Sequence, residues 1–332
     1  MTPFDISIRP YTDADEEAVV DLLHVSLGGG PGGERTASFF RWKHLDNPFG
    51  RSLMLVAEDE QGVVGFRSFL RWEYASAHGR WRAVRAVDTA THPRAQGKGV
   101  FTRLTTTALA ELKGSCDFVF NTPNEKSLPG YLKMGWTTAG RVPVWIRPRR
   151  PLASLRARRV SEGPMRTARP ESDSASAAEV LRGGSIPPAG TSGGGLATIR
   201  DETYLLWRYG PGSGLDYRAV TLVRGGRRGT AIFRLRPRGG AWEATVAEVL
   251  TGAEGAALAG RLLAEVAKVS GADHLSVHFS AICPSPYRHS LRGYVRAPGG
   301  MMLVTNRLGR PVTPDPSTTS SFTFSLGDLE VF

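Results

Sequence analysis

The chain has 332 residues with 39 Gly and 22 Pro, 41% apolar and 22% charged side chains, and a net charge of +11. This balance excludes full disorder and strict-repeat fibrous structure, the absence of a run of about 18 apolar residues excludes a membrane-spanning helix, and the length predicts two domains. Two cysteines, Cys116 and Cys283, are too few for a disulfide framework and stand in no metal-ligand spacing. Met1–Arg9 lacks the basic start and apolar core of a signal peptide, so a cytoplasmic protein without a metal is expected.

In chain order, Ile6–Arg9 alternates as a short strand does. Asp13, with Glu16 three residues on, has capping-box spacing ahead of a helical run through Val19, Leu22, Leu23 and Leu27, which Gly28-Gly29-Gly30-Pro31 stops. A second helix is predicted over Thr36–His44. Strands are predicted over Ser52–Glu58, Val63–Tyr74 and Trp81–Thr91. A Gly-rich turn, His92 to Gly99, leads into a helix over Val100–Leu112. Then come a strand over Asp117–Asn121, a helix over Asn124–Met134 interrupted by Pro129, and a strand beginning at Trp136. The order is β-α-α-β-β-β-α-β-α-β.

From Arg141 to Pro170 nine arginines stand against Glu162 alone, so this segment carries a net +8 of the chain's +11. A solvated linker arm and contact with an anionic partner both account for it. Residues 150–195 lose periodicity and read as a linker holding one short helix. The second half then repeats the first in weaker form. Phe40-Arg41-Trp42-Lys43 parallels Leu206-Trp207-Arg208-Tyr209, Gly65-Phe66-Arg67 parallels Ile232-Phe233-Arg234, and Gly135-Trp136 parallels Gly293-Tyr294. The predicted division is 1–149, a linker 150–195, and 196–332.

Chemistry concentrates in Val87–Phe101. A strand feeds a turn whose Gly97 and Gly99 lack Cβ atoms, so that backbone N–H groups face one point at the start of a helix. Lys98 and Arg94 add positive charge, and the arrangement suits a pyrophosphate. The pattern alone is weak: Arg236-Pro237-Arg238-Gly239-Gly240-Ala241 also satisfies it, but with a strand rather than a helix following, and reads as a hairpin. The aromatic-basic runs 39–44 and 204–209 have the spacing of packed helices. His274, His278 and His289 lack the clustered carboxylates or sulfurs of a metal centre.

A second signature lies downstream: Asn124 stands seven residues before Tyr131, and Trp136, behind Gly135, five after it. With the Gly turn before it, this pattern resembles the GCN5-related N-acetyltransferases (GNAT) over about residues 5–148, and the second half looks like a degenerate copy without a phosphate loop. The resemblance implies an α/β fold of two GNAT-like domains, each a mixed, mostly antiparallel sheet flanked by helices. It implies acetyl-CoA, or another acyl-CoA, in a notch between strands 83–91 and 117–121. The main chain of Gln96, Gly97, Lys98, Gly99, Val100 and Phe101 would hold the pyrophosphate, with Arg94 adding charge. The main chain at Thr89, Ala90 and Thr91 would meet the pantetheine arm or the oxyanion, with Asn121 and Asn124 completing the site. Asp88 is the expected base, with His92 as competitor, and Tyr131 the expected acid. Two departures stand out: Gln96 where the family usually has Arg, and Pro129, expected to kink the helix before Tyr131. The implied acceptor is a primary amine on a small molecule. Aminoacyl-tRNA-dependent transfer of the tandem GNAT-like ligase type and a non-catalytic CoA-binding module are the alternatives. Nucleic acid is otherwise disfavoured, no membrane partner is expected, and a homodimer is compatible.

Overall fold

The computed structural model describes residues 6–28, 35–149, 170–184, 194–238, 240–252, 256–279 and 293–329. The glycine loop at 29–34, most of the arginine-rich run, much of the predicted linker, Cys283 and His289 lie outside them.

The first sheet sets β1 (Ser7–Pro10), β2 (Leu53–Asp59), β3 (Gly62–Ser76) and β4 (Gly79–Thr91) antiparallel in that order, with β5 (Phe118–Asn121) parallel to β4. Alternation along the strands divides its two faces. Met54, Val56 and Phe66 meet α1 (Glu16–Leu27) and α2 (Ala37–His44) through Val19, Leu22 and Phe40. Leu55, Ala57 and Phe69 meet α3 (Val100–Leu112) and α4 (Leu128–Lys133) through Val100, Leu104 and Tyr131. Gly65 permits the close approach of α3, because a Cβ there would lie 2.6 Å from a Val100 methyl. With β6 (Thr137–Val142), the element order agrees with the expected one.

Two local expectations change. The cap before α1 lies one residue early: the Asp15 carboxylate accepts from the Thr12 N–H at 2.8 Å, across a short 3₁₀ turn at Asp13–Asp15. Pro129 does not kink a helix, because α4 starts only at Leu128 and the proline sits in its first turn, where no intrahelical N–H is needed.

The second sheet is built from β7 (Trp145–Pro148), β8 (Ala175–Ser176), β10 (Tyr217–Arg224), β11 (Arg227–Arg238), β12 (Ala241–Leu250), β13 (His274–Val277) and β14 (Val295–Arg296), in the order β14-β7-β13-β12-β11-β10-β8. Its helices are α5 (Ala177–Arg182), α6 (Glu202–Tyr209) and α7 (Ala256–Val269). β11 and β12 pair antiparallel up to Arg238 and Ala241, in keeping with the expected hairpin. The fold is thus two mixed, mostly antiparallel sheets flanked by helices.

The sheets trade strands across the boundary expected at 149 and 196. β7 follows the first unit but lies between β13 and β14 of the second sheet. β15 (Met301–Arg307), near the end of the chain, lies between β5 and β6 of the first. β9 (Leu196–Thr198) also adds to β3 and carries β16 (Phe322–Thr323). The pairing of α2 with α6 follows the internal repeat. Trp42 and Trp207 stack at 5.2 Å, and each indole N–H donates to the other's carbonyl, at 2.7 and 2.9 Å. The aromatic runs are therefore core, and they join the two halves.

Candidate functional site

The site grows from an irregularity in β4. Thr89 pairs with Arg67 and Val87 with Ser68, leaving Asp88 as an extra residue in a bulge. Its φ of 37° is the one positive value at a non-glycine position among the described residues. Pairing of β4 with β5 stops at Arg85 and Phe120, so beyond that point the two strands form a notch.

At the end of β4 a glycine turn leads into α3. Gly97 (φ 76°) and Gly99 (φ 74°) take left-handed conformations with nothing within 4 Å of a Cβ position. They are needed for backbone direction and not for space. Gly99 caps α3, whose first-turn N–H groups have no intrahelical acceptor, and residues 96–99 are exposed. The neighbouring side chains turn inward. Arg94 forms a two-pronged pair with Asp59, at 2.9 and 3.2 Å, which holds that carboxyl below its usual range against the effect of burial. Gln96 spends its backbone N–H on Pro93 and its side-chain amide on Thr91. His92 caps the short turn after it, its Nδ1 accepting from the Arg94 N–H. Asn124 accepts from the Ser127 N–H and hydroxyl ahead of α4, and Asn121 from the Thr122 N–H. Arg94, Gln96, Asn121 and Asn124 are thus each engaged in local hydrogen bonds. The main chain from Gly97 to Phe101 leads into α3.

Tyr131 is buried on the α3–α4 side of the notch. Its ring meets Phe101 edge-on at 5.5 Å and Trp136 at 4.7 Å, and its hydroxyl accepts a hydrogen bond from Arg67 at 2.8 Å. Arg67 was not among the expected residues, and no local pattern links position 67 to 131.

Asp88 points to the other face, toward α2. One carboxylate oxygen accepts from Lys43 at 2.7 Å and from His44 Nε2 at 2.9 Å, and His44 Nδ1 meets the Ser52 hydroxyl at 2.9 Å. Burial alone would raise the Asp88 carboxyl, but Lys43 and His44 hold it far below the carboxylate range. Burial holds the His44 imidazole low, consistent with a neutral ring that donates to Asp88 and accepts from Ser52. A carboxylate held as an anion by Lys43 and His44 is a poor proton acceptor, which does not suit the base role expected of Asp88. Arg85, three residues away, donates to the carbonyls of Asp328 and Leu329. The Lys43–Asp88 pair lies at the edge of a small, open depression between α1 and α2, with Val20, Leu23, Phe39 and Phe40 in its walls.

Residues 7–139 match the family model described as an acetyltransferase (GNAT) domain. None of the curated proteins matches the chain in sequence. Among solved structures, the chain is similar to a GCN5-related N-acetyltransferase from Anabaena variabilis (TM-score 0.60, 13% identity, 92% of this chain and 73% of that one). It is similar also to one from Kribbella flavida (0.57, 15%, 92% and 71%) and to Eis1 from Mycobacterium abscessus (0.55, 13%, 92% and 74%). At such identity these likenesses concern the fold.

Proposed function

We propose, from the match of residues 7–139 to an acetyltransferase (GNAT) domain, that this chain moves an acetyl group from acetyl-CoA to a primary amine of a small molecule, by direct transfer. The observation that carries the reading is the turn: two left-handed, exposed glycines opening α3 beside the notch between β4 and β5. The residues suit the co-substrate, because the turn offers backbone donors and no side chain obstructs Gly97 or Gly99. Acetyl-CoA, when bound, supplies the electrophilic thioester.

The chain's residues then have distinct tasks. The amides from Gly97 to Phe101 hold the diphosphate. The free edge of β4 at Thr89–Thr91 lines up the extended arm in the manner of a strand. Tyr131 holds a proton at its phenolic oxygen for the departing sulfur. The depression between α1 and α2 receives the acceptor, with the Lys43–Asp88–His44 cluster fixing α2 against the bulge. Asp88, tied to Lys43 and His44, does not suit the base role, and in this reading the acceptor reacts as the free amine and gives its proton to water.

The tRNA-dependent alternative gains little from the described arginines, since Arg147 lies over the Tyr294 ring and Arg149 donates to the Ala272 carbonyl. The test is calorimetric titration with acetyl-CoA, followed by thiol release with amines of different basicity. The expected result is binding, with an acid limb of the rate that tracks each amine's own pKa. Failure to bind acetyl-CoA removes the reading. An acid limb that stays fixed across amines would restore a base on the protein.

A further inference from the structure

We propose that Arg67 is a positioning residue for Tyr131, holding the phenol so that its proton is directed away from the protein and toward the sulfur. The inference rests on the reading of Tyr131 as the acid.

Arg67 is 1% exposed, on β3, opposite Thr89 at the bulge. Its guanidinium lies over the rings of Phe69, Tyr131 and Phe101, at 4.7, 5.5 and 5.6 Å. Among the described residues no carboxylate pairs with it, and its Nε has no hydrogen-bond partner. A buried cation without a counter-charge is costly, and apolar replacement of buried charge is often neutral or stabilising. The rings beneath the guanidinium offset part of that cost, but they make no use of its donor groups.

The hydrogen bond to Tyr131 uses one of them. A guanidinium can only donate, so at 2.8 Å the phenolic oxygen must be the acceptor. The hydroxyl hydrogen cannot return to Arg67. The rings packed against it offer no alternative, since Phe101 has no acceptor and the Trp136 indole N–H is itself a donor without a partner. The proton is left to the notch. As the carbon–sulfur bond breaks and the carbon–nitrogen bond forms, the Tyr131 O–H proton moves to the sulfur. The amine's surplus proton goes to water, and the phenolate regains a proton from water. Throughout, Arg67 keeps a positive charge beside the oxygen that becomes negative.

The test uses the full chain with R67M, R67K, Y131F and the double variant R67M/Y131F. Acetyl-CoA turnover is read as free thiol, with hydroxylamine as a small nucleophile, beside thermal melts. R67M is expected to fold with an unchanged or higher melting temperature and to keep the KM for acetyl-CoA within about twofold. Its kcat should fall by about 10- to 100-fold, within the range of acid–base contributions. R67K should recover part of that loss, and the double variant should be no slower than Y131F. Losses in R67M and Y131F that multiply in the double variant would overturn the proposal. So would an R67M that fails to fold, or that changes KM and stability while leaving kcat intact. Wild-type kcat in Y131F would instead remove the reading of Tyr131 beneath it, which a normal Y131F loss with an inert R67M would not.

Discussion

The two halves put the same irregularity to opposite uses. In the second sheet the pairing of β11 with β12 skips at Ala247, as β3 with β4 skips at Asp88, and β12 runs parallel to β13 for only three residue pairs. In the first half the bulge faces an open depression, and the strand leads to an exposed glycine turn. In the second, the corresponding space is filled by the chain itself. Glu248, beside the bulge, accepts from Arg200, Tyr209 and Ser325, and its burial pushes its carboxyl up. The helix α8 (Leu326–Leu329) lies against β12, and a Cβ at Gly327 would collide with the Tyr209 hydroxyl. The lesson is that a duplicated frame becomes a site or a support according to who satisfies its polar groups. The filled half also reaches across, since the Asp328 and Leu329 carbonyls accept from Arg85 on β4.

The largest test of this division is to separate the halves. A fragment of residues 1–149 lacks β15, which pairs with both β5 and β6, and lacks Trp207. It should show no cooperative thermal transition by circular dichroism, whereas two independent domains would each melt alone. Next in size is Lys43→Met, which removes a buried partner of Asp88 and should cost about 3–5 kcal/mol in denaturant titration. Asp88→Asn in the same chain should return much of that loss. Acid stability comes third. Because burial holds His44 low in the folded state, the unfolded chain binds the proton more readily. The stability His44 brings is thus intact above pH 6.5 and falls as the pH drops below it, by at most about 1.4 kcal/mol per pH unit. Chemical denaturation across pH 4–8 should show that slope in the wild type and a flatter one in His44→Gln. Smaller again is a loss of ligand affinity. Gly99→Ala strains a φ of 74° and should weaken acetyl-CoA binding about tenfold by calorimetry, while Gly252→Ala, at the corresponding turn of the filled half, should leave it unchanged.

What the sequence revealed followed the range of the interactions. The strand–turn–helix at 84–112 is local, its glycines mark left-handed positions, and its helix has a clear period, so it was legible from the residues. The motif at 124–136 located Tyr131 but not the contact with Arg67, 64 positions away in sequence. The role of Asp88 was misjudged for the same reason. Its partners lie on α2, where Lys43 and His44 read as the end of an aromatic helix, while Arg85, near it in sequence, serves the chain's far end. Arg94 and Asn124 show a different limit: a motif says which side chain stands at a turn, not whether Asp59 or Ser127 has already claimed it. The exchange of β7 and β15 left no local trace, because a strand's pattern specifies a face and not a partner.

A last test examines the joint itself. Trp42 and Trp207 are each the sixth residue of their helix, and each indole donates to the other's carbonyl, so the joint is nearly symmetric in geometry. It need not be symmetric in consequence, because α2 also carries Lys43 and His44 whereas α6 carries Arg208, which is held by Tyr217 and the Gly327 carbonyl. Replacing either tryptophan by phenylalanine keeps a ring in the stack and removes one hydrogen bond, leaving a buried carbonyl unpaired. Each should cost about 1–3 kcal/mol. If the pair is one unit, Trp42→Phe and Trp207→Phe together should cost less than the sum of the two in denaturant titration. Only Trp42→Phe should also lower turnover, since it loosens the helix that anchors Asp88 beside the depression. Equal losses of turnover in both would mean that the filled half shapes the site through this contact as directly as the open half does.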